Sequence, residues 1–158
     1  MYNVLVTNDD GIDAAGIRQL IFTLSLTTQV YVFAPKEQQS AKSQAMSAQG
    51  QLSVEPRSIR GAEEAYAVGG TPVDCVKLAV KTLCPEVDFV ISGVNHGYNS
   101  GSDVLYSGTV GAAMEGALNG KPAMAVSLGH RREDTYDKAA ALAVRVFDGL
   151  QAHPLPPF

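Results

Sequence analysis

The sequence predicts an α/β fold, a layered domain with a mostly parallel sheet flanked by helices. Short β-rich runs alternate with helix-spaced segments from the first residues onward. One of those runs, Val30-Tyr31-Val32-Phe33-Ala34, has no polar alternation, the mark of a parallel strand covered on both faces. Polar, turn-forming residues follow the strand runs at their carboxyl ends. Alternation of this kind gives right-handed crossovers and helices on both faces of the sheet.

The elements follow in order. Tyr2 to Thr7 is a short β-rich run that ends in the turn-like Asn8-Asp9-Asp10-Gly11. Ala14 to Leu26 places Ile17, Leu20, Ile21 and Leu24 at helical spacing, so a helix is expected there. Val30 to Ala34 is the second strand, stopped by Pro35, and the Gln- and Ser-rich residues 36–50 read as a long loop or a ragged helix. Gln51 to Arg57 and Ala65 to Val68 are short strands, a small excursion from the main sheet. Thr71-Pro72 reads as an N-cap followed by proline at the first helical position, opening a helix to about Leu83. Val87 to Ile91 is a buried strand running into a Gly/Asn loop from Ser92 to Tyr106. Ser107-Gly108-Thr109 opens a small-residue helix, Val110 to Leu118, closed by Asn119-Gly120. Pro122 to Leu128 is a further strand, and Asp134 to Leu150 a last amphipathic helix with an acidic start.

The 158 residues suit one domain, and a chain of this size buries roughly 68–70% of its unfolded surface without metal or disulfide staples. Residues 1–150 are read as that domain and 151–158 as a proline-rich extended segment, with Pro154, Pro156 and Pro157 among the last five residues. Twelve Lys+Arg against 16 Asp+Glu leave a net charge of −4, which argues against a partner such as duplex nucleic acid, whose phosphates need clustered cations. The nearest cluster, Arg131-Arg132, runs straight into Glu133-Asp134 and reads as a solvated helix start. No apolar run approaches the ~20 residues that cross a bilayer, and Met1-Tyr2-Asn3 lacks the basic region of a secretory signal. Cys75 and Cys84 form no CxxC; two buried free thiols in a reducing cytoplasm are expected.

In open α/β sheets the ligand crevice lies beyond the carboxyl ends of strands, near the switch in strand order. The loops Asn8 to Gly11, Pro35 to Ser43 and Ser92 to Asn99 should therefore meet on one edge. Asp9 and Asp10 are either a plain turn or two carboxylates that repel unless a cation sits between them. Mg²⁺ or Mn²⁺ takes oxygen ligands, and serines of the second loop together with Asn95 add suitable ones. Seven glycines fall between Gly93 and Gly120. Gly111 and Gly116 suit close helix packing and Gly120 a helix C-cap, whereas Gly93, Gly97 and Gly101 suit close approach of backbone to a ligand. Ser107-Gly108-Thr109 is a phosphate cradle or simply a helix cap. His96 is a proton shuttle or a plain loop histidine. His130 and His153 lie after a strand and in the tail. Neither GxxxxGK[ST] nor GxGxxG after a strand nor GxSxG is present, which removes the P-loop, the dinucleotide fingerprint and the hydrolase serine elbow.

Five motifs in register carry a resemblance: Thr7-Asn8-Asp9-Asp10-Gly11, Ala34-Pro35 with Gln39-Ser40, Gly70-Thr71-Pro72-Val73-Asp74-Cys75, Ser92-Gly93-Val94-Asn95-His96-Gly97, and Tyr106 to Ala113 with Glu115-Gly116. Together they resemble the SurE (survival protein E) family over essentially the whole chain. The resemblance implies a Rossmann-like three-layer domain and a divalent-metal-dependent phosphatase acting on nucleoside 5′- and 3′-monophosphates, with some action on polyphosphate, one Mg²⁺ or Mn²⁺ per subunit, and a homodimer or homotetramer. It places metal ligands on Asp9, Asp10, Ser40 and Asn95, selecting Ser40 over Ser43. It also sets Asn99, Ser107, Gly108 and Thr109 beside the phosphate. Catalysis falls to Asp9, Asp10 and Asn95, with His96 near the substrate. Members of the family continue into a pairing arm, and residues 151–158 match the start of that extension.

Three rival readings bear on the same crevice. A receiver-like module needs a phosphate-accepting aspartate where this chain has Ser92-Gly93-Val94-Asn95. A haloacid-dehalogenase-type phosphatase needs DxD where Asp9 and Asp10 are adjacent. A non-catalytic nucleotide-binding module, or an inactive short form, would use the same residues and differs only in activity.

Overall fold

The computed structural model describes residues 1–83, 86–129, 135–154 and 156. Cys84, His130, the Arg131-to-Asp134 helix start and part of the proline-rich tail lie outside the described residues. Six strands form one sheet in the order β3-β4-β2-β1-β5-β6. They are β1 (Asn3–Thr7), β2 (Gln29–Pro35), β3 (Val54–Arg57), β4 (Glu64–Val68), β5 (Phe89–His96) and β6 (Ala123–Leu128). Every pairing is parallel except that of the edge strand β3 with β4. The expected excursion is therefore half inside the main sheet, because β4 pairs with β2.

The helices are α1 (Ala15–Leu24), α2 (Pro72–Leu78), α3 (Gly108–Leu118) and α4 (Tyr136–Ala152). Side chains of β1 alternate between the two faces of the sheet. Val4 and Val6 pack with Ile17, Leu20 and Ile21 of α1 and Phe147 of α4. Leu5 packs with Cys75 and Val76 of α2 and Ala112 of α3. Both faces of the sheet are therefore covered, and each fully buried Val, Leu, Ile or Phe among these contributes about 1.5–3 kcal/mol relative to exposure. The result is the three-layer arrangement. Gly116 allows α3 to lie close on the sheet, since a Cβ there would sit 3.0 Å from the Val90 side chain and 3.2 Å from Ala123 Cβ.

Three local differences from the sequence reading concern the site. β5 does not stop at Ile91 but continues through Gly93 to His96. Its pairing with β6 passes from Ser92↔Ala125 to Asn95↔Ser127, one extra residue on β5. A bulge of this kind re-aims the side chains that follow it, here Asn95 and His96. Gly93 has φ +141, and a Cβ there would overlap the Val126 carbonyl oxygen. This glycine serves strand packing, which corrects its expected part in ligand approach. A 3₁₀ turn, Gly101–Tyr106, lies where only loop was expected. Residues 36–50 hold no helix, and Ala41 and Ser43 have φ of 59 and 54, a left-handed conformation that stops a right-handed helix.

That loop is nevertheless tied down, and α2 does much of the tying. The Thr71 hydroxyl accepts from the Asp74 N–H at 3.2 Å and the Asp74 carboxylate accepts from the Thr71 N–H at 2.9 Å, with Pro72 at the helix start. Asp74 also accepts from the Ser47 N–H at 2.9 Å and the Ser47 hydroxyl at 2.7 Å. Burial alone would raise the Asp74 pKa, but these hydrogen bonds outweigh it and hold it below the ordinary aspartate value. A carboxyl whose pKa falls on folding stabilises the fold above its unfolded-state pKa and loses that contribution as pH drops through the folded value. Asp74→Ala is expected to lower unfolding free energy at neutral pH by about 2–3 kcal/mol, the scale of a lost cap plus charged hydrogen bonds. It should also flatten the acid side of the stability curve. Denaturant titrations at neutral pH and below about pH 4 measure both effects.

Candidate active site

The cavity forms where β1 lies between β2 and β5, the point at which strand order reverses and α/β sheets open a crevice. The turn after β1 is closed by Asn8 Nδ2, which donates to the Gly11 carbonyl at 2.8 Å. Gly11 itself has φ +98, a left-handed conformation that favours glycine. The second loop is fastened to this turn by the Gln39 N–H, donating to the Asp9 carbonyl at 2.7 Å. The third is fastened by the His96 N–H, donating to Asp10 Oδ2 at 2.9 Å. Two further segments, remote in the chain, are thus brought onto the two consecutive aspartates of the first turn.

A cavity of about 470 Å³ opens between them. Asp9, Asp10, Ser40, Asn95, His96, Asn99 and Ser107, all expected from the sequence, line it. So do Gln38, Ala41, Tyr98, Asp103 and Tyr106, which the sequence reading did not single out as site residues. Asn95 Nδ2 donates to the Gly97 carbonyl at 3.1 Å and Asn99 Nδ2 donates to the Ser127 hydroxyl at 2.8 Å. Both side chains therefore keep their carbonyl oxygens for a ligand. The Ser40 hydroxyl accepts from Gln38 Nε2 at 3.0 Å and that of Ser107 accepts from the Val110 N–H at 3.2 Å.

Gly108 and Thr109 stand elsewhere than expected. The Thr109 hydroxyl is buried and donates to Asp9 Oδ1 at 2.5 Å. A Cβ on Gly108 would come within 2.9 Å of Asp9 Cβ. The first turn of α3 thus packs against Asp9 instead of lining the cavity, and only Ser107 of that motif does line it. Burial raises the Asp9 pKa and the neighbouring Asp10 charge adds to the rise, with the Thr109 hydrogen bond opposing both. Tyr136, an unremarked helix residue in the sequence, is buried beneath the third loop, its hydroxyl 2.7 Å from His96 Nδ1. Forty residues separate the two, so no local signal in the sequence links them.

The lining carries Asp9, Asp10 and Asp103 and, among the described residues, no lysine or arginine. Among those residues no group of three or more His, Cys, Asp or Glu is disposed to hold a metal ion. The donor set instead combines two carboxylates with neutral oxygens from Ser40 and Asn95. That chemistry fits a hard cation that keeps several water ligands, and is unlike a closed thiolate–imidazole zinc site.

The family model described as Survival protein SurE matches residues 4–156. The chain is 43% identical over 150 residues to a 5'-nucleotidase SurE of Clostridium botulinum (strain Eklund 17B / Type B), covering 92% of this chain and 60% of the relative. It is 47% identical over 153 residues to a 5'-nucleotidase SurE of Desulforudis audaxviator, covering 90% and 57%. The crystal structure of the SurE protein from Aquifex aeolicus superimposes with a TM-score of 0.86 at 32% identity, covering 98% of this chain and 62% of that one. The chain spans about three fifths of the length of these relatives.

Proposed function

The chain belongs to the SurE family, and on that premise we propose that it is a divalent-metal-dependent phosphomonoester hydrolase acting on nucleoside 5′- and 3′-monophosphates. The observation that carries the metal dependence is the charge of the cavity. Among the described residues, three carboxylates line the cavity with no lysine or arginine beside them; such a lining repels a phosphate dianion, and this favours a cation at the phosphate site. Asp9, Asp10, Ser40 and Asn95 are the residues that would hold it. When bound, a divalent ion neutralises charge developing on phosphate and makes a water nucleophilic at neutral pH.

The remaining work falls to side chains of this protein. Asp10 is oriented by the His96 N–H, and Asp9 by the Thr109 hydroxyl, so neither carboxylate has to reorganise when substrate arrives. Ser107 accepts through its oxygen from Val110, which leaves its O–H to donate to a phosphate oxygen beside the start of α3. Tyr136 holds the His96 ring through Nδ1, so Nε2 is the nitrogen left for the substrate. Phosphate release from AMP and GMP, with and without chelator, tests the reading. Release is expected to stop with chelator and return with Mg²⁺ or Mn²⁺. Nucleotide binding with no turnover under any metal would instead make the chain a binding module.

A further inference from the structure

The cavity is larger than a phosphate group needs. Its volume of about 470 Å³ lies among sites that enclose a whole small ligand. Exposure rises along its lining from Asp9 at 5% to Tyr98 at 59% and Tyr106 at 64%. The carboxylate pair is therefore the inner end and the tyrosines the outer end.

Neither ring sits on a loose segment. Tyr106 ends the 3₁₀ turn Gly101–Tyr106, in which no residue is buried. The turn is fixed through its backbone: the Ser43 hydroxyl donates to the Leu105 carbonyl at 2.7 Å and the Ser43 N–H to the Tyr106 carbonyl at 3.0 Å. Tyr98 lies against Gly129 at the end of β6, where any Cβ would overlap the ring. The Tyr106 backbone is thus anchored and the Tyr98 ring packs on Gly129, while both residues remain more than half exposed. Asp103, on the same turn, makes the outer end unsuitable for a second anionic group and compatible with an uncharged one.

We propose that Tyr98 and Tyr106 form a platform on which the nucleobase of a nucleoside monophosphate stacks, while its phosphate reaches the Asp9–Asp10 end. This assignment rests on the hydrolase reading above and names the part of the substrate that reading leaves undefined. Stacking of a base on an aromatic ring is sequence-tolerant, so the platform selects for a base without choosing strongly among bases.

The test compares AMP with ribose 5-phosphate, which carries the phosphate and sugar but no base. Wild type, Tyr98→Leu, Tyr106→Leu and the conservative Tyr106→Phe are measured for kcat/KM and, separately, for equilibrium binding by calorimetry. Each Leu variant is expected to lower the AMP to ribose 5-phosphate preference about tenfold or more, the scale of one lost stacking contact. The loss should fall in KM, and Tyr106→Phe should restore the preference. Equal losses on both ligands would mark the rings as structural and overturn the platform, as would a wild type that binds AMP no better than ribose 5-phosphate. If the wild type hydrolyses neither compound yet its base preference in binding disappears in the Leu variants, the platform stands and the hydrolase reading falls.

Discussion

Asp9→Asn is expected to abolish metal-dependent phosphate release while leaving the metal-free chain at least as resistant to unfolding as the wild type. The two halves of this expectation have one cause. Asp9 is buried beside Asp10, and burial followed by the Asp10 charge raises its pKa against the opposing Thr109 hydrogen bond. An acid whose pKa is raised by folding favours the folded state when protonated. Its contribution declines as pH climbs from the unfolded value of about 3.9 through the folded one. At neutral pH the ionised side chain is therefore a burden that the Thr109 hydrogen bond offsets only in part and a bound cation would relieve. Asparagine is neutral, has the same shape, and retains an oxygen to accept from Thr109. In the presence of chelator the variant should unfold at an equal or higher denaturant midpoint at neutral pH, and the difference should vanish in acid. Activity should fall by a factor on the order of 10³ or more, the scale for removing a preorganised electrostatic group. Activity within tenfold of wild type would sink the role given to Asp9, and a large loss of stability would sink the account of its burial.

The parts of this fold that were legible in the sequence are those whose cause is local. Val30 to Ala34 declares a covered strand by its unbroken apolar run, and Thr71-Pro72 declares a helix start through a cap that closes on Asp74, three residues away. The meeting of Asp9, Asp10 and Asn95 followed from a rule about where strands end, which needs only the order of elements. What was not legible depends on partners remote in the chain. The passage of β5 through Gly93 exists because β6, some thirty residues later, pairs with Asn95 and His96. The Gly101–Tyr106 turn has no buried face, so it writes no periodic pattern into the sequence. Ser40 was chosen over Ser43 by resemblance alone. The structure separates them physically: Ser40 lines the cavity, whereas Ser43 ties the loop to Leu105 and Tyr106.

Thr109 shows the same limit at the centre of the site, and its removal is the second large effect expected. The family resemblance places its hydroxyl beside a phosphate; the structure engages it with Asp9, one hundred residues away, with no exposed surface left over. Thr109→Val keeps the shape and deletes the donor. The buried carboxylate then keeps the penalties of burial and of the Asp10 charge but loses the hydroxyl that offsets them. Hydrogen bonds to charged groups contribute about 1.5–3 kcal/mol, so the chelated chain should lose stability of that order at neutral pH. Partners that orient a metal ligand typically change metal affinity or activity 10–100-fold. The expected result is a metal requirement raised by about that factor, with much of kcat regained at saturating Mg²⁺ or Mn²⁺. Thr109→Ser restores the hydroxyl without the methyl group and should recover the metal affinity while still losing some packing. A phosphate-binding hydroxyl would behave differently, raising KM for the nucleotide at every metal concentration. Metal titrations of activity on Val and Ser variants, at fixed and varied AMP, separate the two roles. Identical metal dependence in wild type and Thr109→Val would show that the contact with Asp9 orients nothing of consequence.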